Sequence, residues 1–510
     1  MKIIRGNTLP DYSLLSQNAN KTAVDGYLRN ETWMYKPIVG VNIAESSGKE
    51  IYEISQQVVE KIQHALEGTK LIPSKYNIKK IFEDGKSVII NTLTEAVVVF
   101  DEKENELFLN VGTYPNHTYF EIQMFLLGLL VQENDNESFR LNVIRNRSAY
   151  SSSGAISIFI YPTQDCNATC CYCFNKDEKK LTMTKETADD VVQYITRNVS
   201  VNDEVVFRWF GGEPLMACDI IDYITENVSK YYDHKLKFSS IVTTNGYNIT
   251  DDLIVRAKEK WHAKKFNITI DGYGDEHNRR KGFSEKRFDG YQKLLNDIQK
   301  LIDNEIFVIA RFNCDKKNLS QYPNILNDLQ SFRDSGKFHI YPTTLRRVGN
   351  QPLEDYILPN DYAWFYDFAY RELFAHGFYN SIQQILPLRR RGNCMACLMN
   401  EILINAEGNL FKCNQHSTAD SCKVGDCKTG VIFNQNYLNW LDMNIKEQEC
   451  VECPYLPLCD RCKSYRSENK PEISPCVHEK DSINTILNLV HEWVSNDGKM
   501  LRKQEENHNV

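Results

Sequence analysis

At 510 residues the chain is long enough for about three domains with cores of their own. Its net charge of -8 and pI near 5.9, with no Lys/Arg patch interleaved with aromatics, exclude an electrostatic match to nucleic acid. The start MKIIRGNTLPDY lacks a signal-like apolar core, and the longest apolar run, Phe125–Val131, is far short of the roughly 18 residues of a membrane span. These features predict a cytoplasmic protein without membrane contact.

Residues 1–150 contain no Cys. Ile51, Ile54, Val58, Ile62 and Leu66 recur at steps of three and four, which predicts an amphipathic helix over Glu50–Leu66. The β-branched runs Ser87–Thr92 and Glu95–Phe100 predict paired strands, and the apolar stretch Phe120–Val131 predicts a helix. The region reads as a compact α+β unit.

From residue 151 to 385 strands and helices alternate. Strands are expected at Ala155–Tyr161, Val205–Phe210, Ser239–Thr244, Phe266–Ile270, Ile306–Phe312 and Phe338–Tyr341, with helices such as Thr184–Asn198 and Tyr291–Asn304 between them. Six such units predict an α/β fold with a parallel sheet, whose reactive groups gather at the carboxyl ends of the strands. Pro359–Tyr379 reads as a connecting helix. A Cys-rich region follows over 386–480, and the tail over 481–510 holds a helix at Ile483–Trp493.

The 16 Cys are grouped at metal-ligand spacings rather than spread as disulfide partners. Cys166-x3-Cys170-x2-Cys173 follows the first strand directly. A four-iron cluster normally takes four thiolates, so three leave one iron open for a ligand; a structural zinc site is the rival reading. Gly211-Gly212-Glu213-Pro214 ends the second strand, and a Gly pair lets backbone approach a ligand that a Cβ would repel. Thr244 and Asn245 end the third strand with hydroxyl and amide groups suited to a ribose, Asp271 ends the fourth, and Arg311 lies in the fifth. Plain structural roles are the alternative for each. Farther on, Cys397-x10-Gly408-x4-Cys413 precedes Cys450-x2-Cys453-x5-Cys459-x2-Cys462 and then Cys476; the paired spacing of the middle block also suits zinc.

The Cys triplet resembles the signature of the radical S-adenosylmethionine enzymes, and the resemblance runs on through GGEP and the C-terminal Cys array. It implies a partial (β/α)6 barrel carrying one 4Fe-4S cluster on Cys166, Cys170 and Cys173. In that family S-adenosylmethionine chelates the open iron, and one electron yields a 5'-deoxyadenosyl radical that abstracts hydrogen from carbon. GGEP would contact the methionyl amine, and Arg311 would pair the carboxylate through its two-pronged fork. The C-terminal array is similar to the SPASM domain, which implies two further 4Fe-4S clusters. Cys450, Cys453, Cys459 and Cys476 would hold one; Cys397, Cys413, Cys462 and, as candidate fourth ligand, Cys394 would hold the other. Two residues, Asp460 and Arg461, stand where the family usually has three, which leaves the allocation of Cys462 open. Cys422 and Cys427 are either replacements for Cys394 or idle, and Cys171, Cys218 and Cys314 read as structural.

The strand-then-helix order of the first 150 residues resembles the winged-helix elements that bind the leader of a ribosomal precursor peptide as an added strand. Two SPASM classes then compete. Sulfatase maturases, which make formylglycine, usually follow the Gly with Cys-Asp-His, whereas this chain has Cys413-Asn414-Gln415-His416, and Asn is no base. The resemblance therefore implies a peptide maturase of the sactipeptide/ranthipeptide type that installs a thioether from a Cys sulfur to carbon. A precursor peptide and an electron donor such as flavodoxin or ferredoxin would be its partners. Formylglycine formation, carbon-carbon crosslinking, epimerisation and a non-enzymatic Fe-S or zinc peptide scaffold are the alternatives. No residue is assigned as a catalytic acid, base or nucleophile.

Overall fold

The structure, a computed structural model, describes residues 1–6, 41–46, 49–54, 63–112, 117–150, 155–173, 175, 179–283, 289–345, 352–389, 394–417, 419–442, 447–459, 462, 476 and 478–500. Four strands near the N-terminus, β1 (Lys2–Arg5), β5 (Asn77–Ile81), β6 (Ser87–Asn91) and β7 (Val97–Phe100), form an antiparallel sheet in the order β1-β7-β6-β5. One face, with Ile89, Val98 and Phe100, packs on the helices Glu102–Leu109 and Tyr119–Leu126. Both helices open with a capping box, Asp101 with Glu104 and Thr118 with Glu121, which satisfies amides the first turn leaves unpaired. The opposite face, with Val88, Ile90, Val97 and Val99, joins the main core of the molecule.

Two expectations fail here. Lys49–Ile54 is not helical: it is a strand, β3, paired antiparallel with β2 (Val41–Ser46) so that Ile43 opposes Tyr52 and Ala44 opposes Ile51. The rest of the expected helix covers residues 55–62, which lie outside the described residues, and residues 63–65, which are helical. Three β-branched or aromatic residues in six satisfy a strand as well as a helix, and Ser47-Gly48 is a turn signal. The helix expected to reach Val131 ends at Leu126, because Gly128 takes a left-handed conformation (φ 74°). The amides of Gly128 and Leu129 then close on the carbonyls of Phe125 and Met124, both at 2.9 Å, and the chain leaves as strand β8 (Leu130–Gln132) beside β4 (Leu71–Pro73).

The barrel strands are β9 (Ile156–Thr163), β10 (Glu204–Gly211), β11 (Lys237–Thr244), β12 (Ala263–Ile270), β13 (Phe307–Cys314) and β14 (Phe338–Thr344), parallel and adjacent in sequence order. Their side chains alternate between a fully buried outer set and a lumenal set. In β10, Val205, Phe207 and Trp209 are buried under helices, while Arg208 and Phe210 face the lumen. The helices Lys185–Asn198, Cys218–Tyr231, Asp251–Glu259 and Gly290–Asp303 cover the outer face, their apolar residues spaced for one stripe each. Thr184, Thr250 and Asp289 cap the first, third and fourth of them through side-chain oxygens.

Part of the Cys-rich segment extends this sheet. Strand β15 (Glu401–Ile404) runs parallel to β9, and β16 (Asn409–Phe411), β17 (Gly425–Asp426) and β18 (Gly430–Val431) continue antiparallel beyond it. The C-terminal helix, Glu479–Ser495, buries Ile483, Ile486, Leu487 and Val490 between the N-terminal sheet and the helix Tyr362–Ala375. Arg371 grips its Glu492 bidentately, at 2.9 and 2.7 Å. Among the described residues no helix is long and apolar enough to cross a membrane.

The N-terminal unit also holds the second Cys block in place. The buried guanidinium of Arg145 donates to the carbonyls of Leu456 and Cys459 at 2.6 and 2.7 Å, Lys75 donates to that of Val451 at 3.0 Å, and the Thr92 hydroxyl donates to that of Pro454. Replacing Arg145 by Met removes both of its charge-assisted bonds to this loop, leaving the Leu456 carbonyl with the Cys459 amide at 3.0 Å. Denaturant unfolding under anaerobic conditions is expected to report a loss of about 3 kcal/mol, the scale of charge-assisted hydrogen bonds; an unchanged midpoint would show that the clamp contributes nothing.

Candidate functional site

Cys166, Cys170 and Cys173 lie on the loop that leaves β9, and all three line one cavity of about 610 Å³ inside the barrel. The loop is fixed at both ends. The Gln164 amide donates to the Leu181 carbonyl at 2.7 Å, the Cys166 amide to Asp165 Oδ1 at 2.8 Å, and the Thr169 amide to the Lys281 carbonyl at 2.8 Å. Gly282, left-handed at φ 55°, lets the Thr169 hydroxyl reach its carbonyl at 2.8 Å; a Cβ there would sit 2.4 Å from that hydroxyl.

Gly211 and Gly212 border the same cavity, yet the close approach that requires them is internal. A Cβ on Gly211 would lie 2.2 Å from the Thr163 carbonyl oxygen, and one on Gly212 would lie 2.1 Å from that of Asp165. The glycine pair is thus packed against the cysteine loop's own backbone, and the amides of Gly212 and Glu213 bond to the carbonyls of Thr163 and Asp165 at 3.1 and 2.8 Å.

The structure separates the remaining candidates into two groups. Thr244, Asn245 and Arg311 line the cavity, with Arg311 exposed to it. Glu213 and Asp271 are fully buried and outside the lining, so direct contact with a ligand is not what this arrangement offers them. Glu213 accepts from the Thr244 hydroxyl at 2.7 Å, the Asn245 amide at 2.8 Å and the Leu215 amide at 3.1 Å, which joins the ends of β10 and β11. Burial pushes its pKa up against those bonds. Asn245 passes the tie onward, donating to Asn167 Oδ1 at 2.8 Å and to the Cys166 sulfur at 3.7 Å.

Asp271 anchors a buried network that motif reading did not single out. It accepts from the Tyr172 hydroxyl at 2.6 Å and from Asn313 Nδ2 at 2.8 Å, and it pairs with Lys281 Nζ at 3.0 Å. Burial opposes its ionisation, but the Lys281 charge and these donors outweigh it, and the carboxyl is held below the ordinary range. Its own amide donates to His277 Nδ1 at 3.2 Å, so that ring is neutral; burial and the Lys281 charge push its pKa down to about 3. The only signal for Lys281 in sequence is a basic residue closing a short helix, which is ordinary.

The donor set suits an iron cluster. Burial pushes the thiols of Cys166, Cys170 and Cys173 up, that of Cys170 to about 12, so their ligating thiolate form depends on positive charge at the site. Among the described residues, no three His, Cys, Asp or Glu side chains converge as they would around a single ion.

In the C-terminal region Cys413 is buried, which pushes its thiol up to about 12, and Cys394, Cys462 and Cys422 are its neighbours. Cys397 and Cys394 act electrostatically on the buried Lys412. Cys394, Cys397, Cys413 and Cys462 therefore share one neighbourhood, and Cys422 lies in it as well. Cys427 does not: it packs in the main core beside Tyr194 and Arg197. Cys450 and Cys453 pack against Leu456, and Cys459 is buried on the same loop. Cys476 accepts from Lys480 at 3.8 Å. Asn414, Gln415 and His478, which follow Cys413 and Cys476 closely, complete the mouth of the barrel cavity.

Residues 160–313, from β9 through most of β13, match the Radical SAM superfamily. The match is of this barrel segment alone. The chain is similar to radical SAM cyclopropyl synthase TigE of Paramaledivibacter caminithermalis, 21% identical over 360 residues that cover 64% of this chain and 72% of the relative. It is also similar to GTP 3',8-cyclase of Clostridium perfringens, 28% identical over 149 residues, which are 29% of this chain and 42% of that enzyme. Among solved structures, anSMEcpe with bound AdoMet superposes with a TM-score of 0.54 at 17% identity, covering 68% of this chain and 95% of that one. That likeness is one of fold. The matched segment carries the three-Cys loop, the glycine pair, Thr244, Asn245, Asp271 and Arg311 together.

Substituting Gly212 by Ala is expected to displace the cysteine loop, since the Asp165 backbone blocks the new methyl. Anaerobically reconstituted variant should bind less iron per chain than wild type while keeping its circular dichroism; full iron content would show that the close approach is not required.

Proposed function

We propose that the chain is a radical SAM maturase of a ribosomally made precursor peptide and that it installs a thioether between a Cys sulfur and carbon. The observation that carries this reading is the composition of the cavity wall: the thiols of the barrel loop share it with Asn414, Gln415 and His478, each within two residues of a Cys in the C-terminal array. A cavity so lined suits a substrate held between a radical source and a second redox or ligating centre.

When bound, a 4Fe-4S cluster with S-adenosylmethionine supplies a 5'-deoxyadenosyl radical able to take hydrogen from carbon. Cys166, Cys170 and Cys173 would hold that cluster. Arg311 is placed to receive a carboxylate, and Thr244 and Asn245 offer a hydroxyl and an amide to a ribose. The aromatics Phe159, Phe210 and Tyr341 add apolar surface to the lining of the cavity. Cys450, Cys453, Cys459 and Cys476 would hold one auxiliary cluster of a SPASM domain, and Cys397, Cys413, Cys462 and Cys394 the other. An electron donor of the flavodoxin or ferredoxin class would serve the barrel site.

The N-terminal sheet would bind the leader of the precursor. Its order of three strands, β5, β6 and β7, followed by the helices Glu102–Leu109, Tyr119–Leu126 and Glu137–Tyr150 supports a winged-helix-like reading. The chain's own β1 already occupies the outer edge of β7, so a leader adding to this sheet has the outer edges of β1 and β5 to use. Deleting the whole unit would also remove the Arg145 clamp and expose the apolar face under the C-terminal helix, so point changes on those edges are the cleaner probe.

A second reading, closure of a carbon-carbon bond, is favoured by the similarity to the cyclopropyl synthase over 64% of the chain. Both readings remove two hydrogens from the peptide. Incubating reconstituted enzyme with the precursor encoded beside it and then alkylating separates them. A loss of two hydrogens with one Cys blocked from alkylation is the expected result. The same loss with every thiol free would favour carbon-carbon bonding, deuterium uptake from solvent without mass loss would favour epimerisation, and conversion of a Cys or Ser to formylglycine would overturn the crosslinking reading.

A further inference from the structure

Lys281 is 1% exposed, its partner Asp271 is 0% exposed, and neither is used by the ligand-binding roles above. A buried ion pair costs several kcal/mol of desolvation per ion, and it persists only where its geometry and neighbours repay that cost. Here the neighbours are specific. The ammonium lies 3.0 Å from Asp271 Oδ2, donates to the Thr269 hydroxyl, and lines the same cavity wall as Cys166, Cys170 and Cys173. The Lys281 carbonyl holds the Thr169 amide, in the middle of the cysteine loop, at 2.8 Å. Asp271 is fixed from the other side by Tyr172, which sits between Cys171 and Cys173, and by Asn313 on β13. The pair is thus oriented with its positive end toward the thiols and its negative end toward the barrel wall.

We propose that Lys281, oriented by Asp271, is the fixed cation that sets the reduction potential of the cluster held by Cys166, Cys170 and Cys173. The inference rests on the cluster reading of those thiols. Adding an electron to a cluster with anionic ligands raises its negative charge, and a cation fixed in a low-dielectric wall favours the reduced form. Removing the cation lowers the potential; removing the counter-anion raises it. Lys281 is a positioning and tuning residue, with no contact to the reacting atoms required.

The test is a potentiometric titration of the anaerobically reconstituted full chain, following the electron paramagnetic resonance signal that changes on adding S-adenosylmethionine. Lys281→Met is expected to lower the ratio of reduced to oxidised cluster at a fixed potential about tenfold, which is about 59 mV for one electron. Asp271→Asn is expected to raise that ratio, and Lys281→Arg to leave it within about twofold of wild type, as a retained charge demands. A purely structural pair gives no shifts of opposite sign. If Lys281→Met fails to retain iron, Asp271→Asn decides alone, its positive shift supporting the proposal and an unchanged potential overturning it. Unchanged potentials in iron-replete variants overturn the proposal and leave the cluster reading intact, whereas a wild-type chain with no iron on these thiols overturns both.

Discussion

The contact between two stretches of backbone, Thr163–Asp165 and Gly211–Gly212, is the constraint on which the rest of the site depends. Two glycines at the end of β10 let the cysteine loop pass at a distance no Cβ would allow. Once that loop is seated, Glu213 follows the glycines into the interior and ties Thr244 and Asn245, and Asn245 returns to Asn167 and the Cys166 sulfur. A closed circuit through the ends of three adjacent strands results. It holds the thiols and the ribose-suited groups around the cavity that Arg311 of β13 also lines, so positioning is built into buried bonds that solvent does not screen.

Around this centre the outer parts of the chain are interlocked. β15 continues the barrel sheet, which sets Cys394, Cys397 and Cys413 at its edge, while the loop with Cys450, Cys453 and Cys459 is held by Lys75, Thr92 and Arg145 from the N-terminal unit. The C-terminal helix closes the circle by filling the inner face of the N-terminal sheet. The unit proposed to receive a leader peptide therefore also shapes one of the proposed auxiliary centres. Shared contacts thus join the two proposed sites, a physical route by which an occupied leader site would act on the chemistry.

The six barrel strands were legible in sequence because short apolar runs and the helical stripes between them are strong over seven to fourteen residues each. The Cys loop was legible because thiolate ligation demands a spacing. Other features were not. A carboxylate after a strand reads alike whether it faces a ligand or, as with Glu213 and Asp271, lies buried among donors, since its partners come from segments tens of residues away. The glycine pair was rightly marked as a close approach, but its partner is the chain's own loop. Lys281 left no trace because its meaning depends on Asp271 and the thiols meeting in space. The strand Lys49–Ile54 and the early end of the helix at Gly128 show periodicity yielding to turn chemistry.

The account's central claim is that the three-Cys loop supports reductive cleavage of S-adenosylmethionine. The most direct measurement is release of 5'-deoxyadenosine from the reconstituted, dithionite-reduced chain, compared with a variant in which Cys166, Cys170 and Cys173 are all Ala. The account predicts release from the wild type and none from the variant, with auxiliary iron retained. Absence of release from cluster-loaded wild type, or release that survives loss of the three Cys, would contradict it.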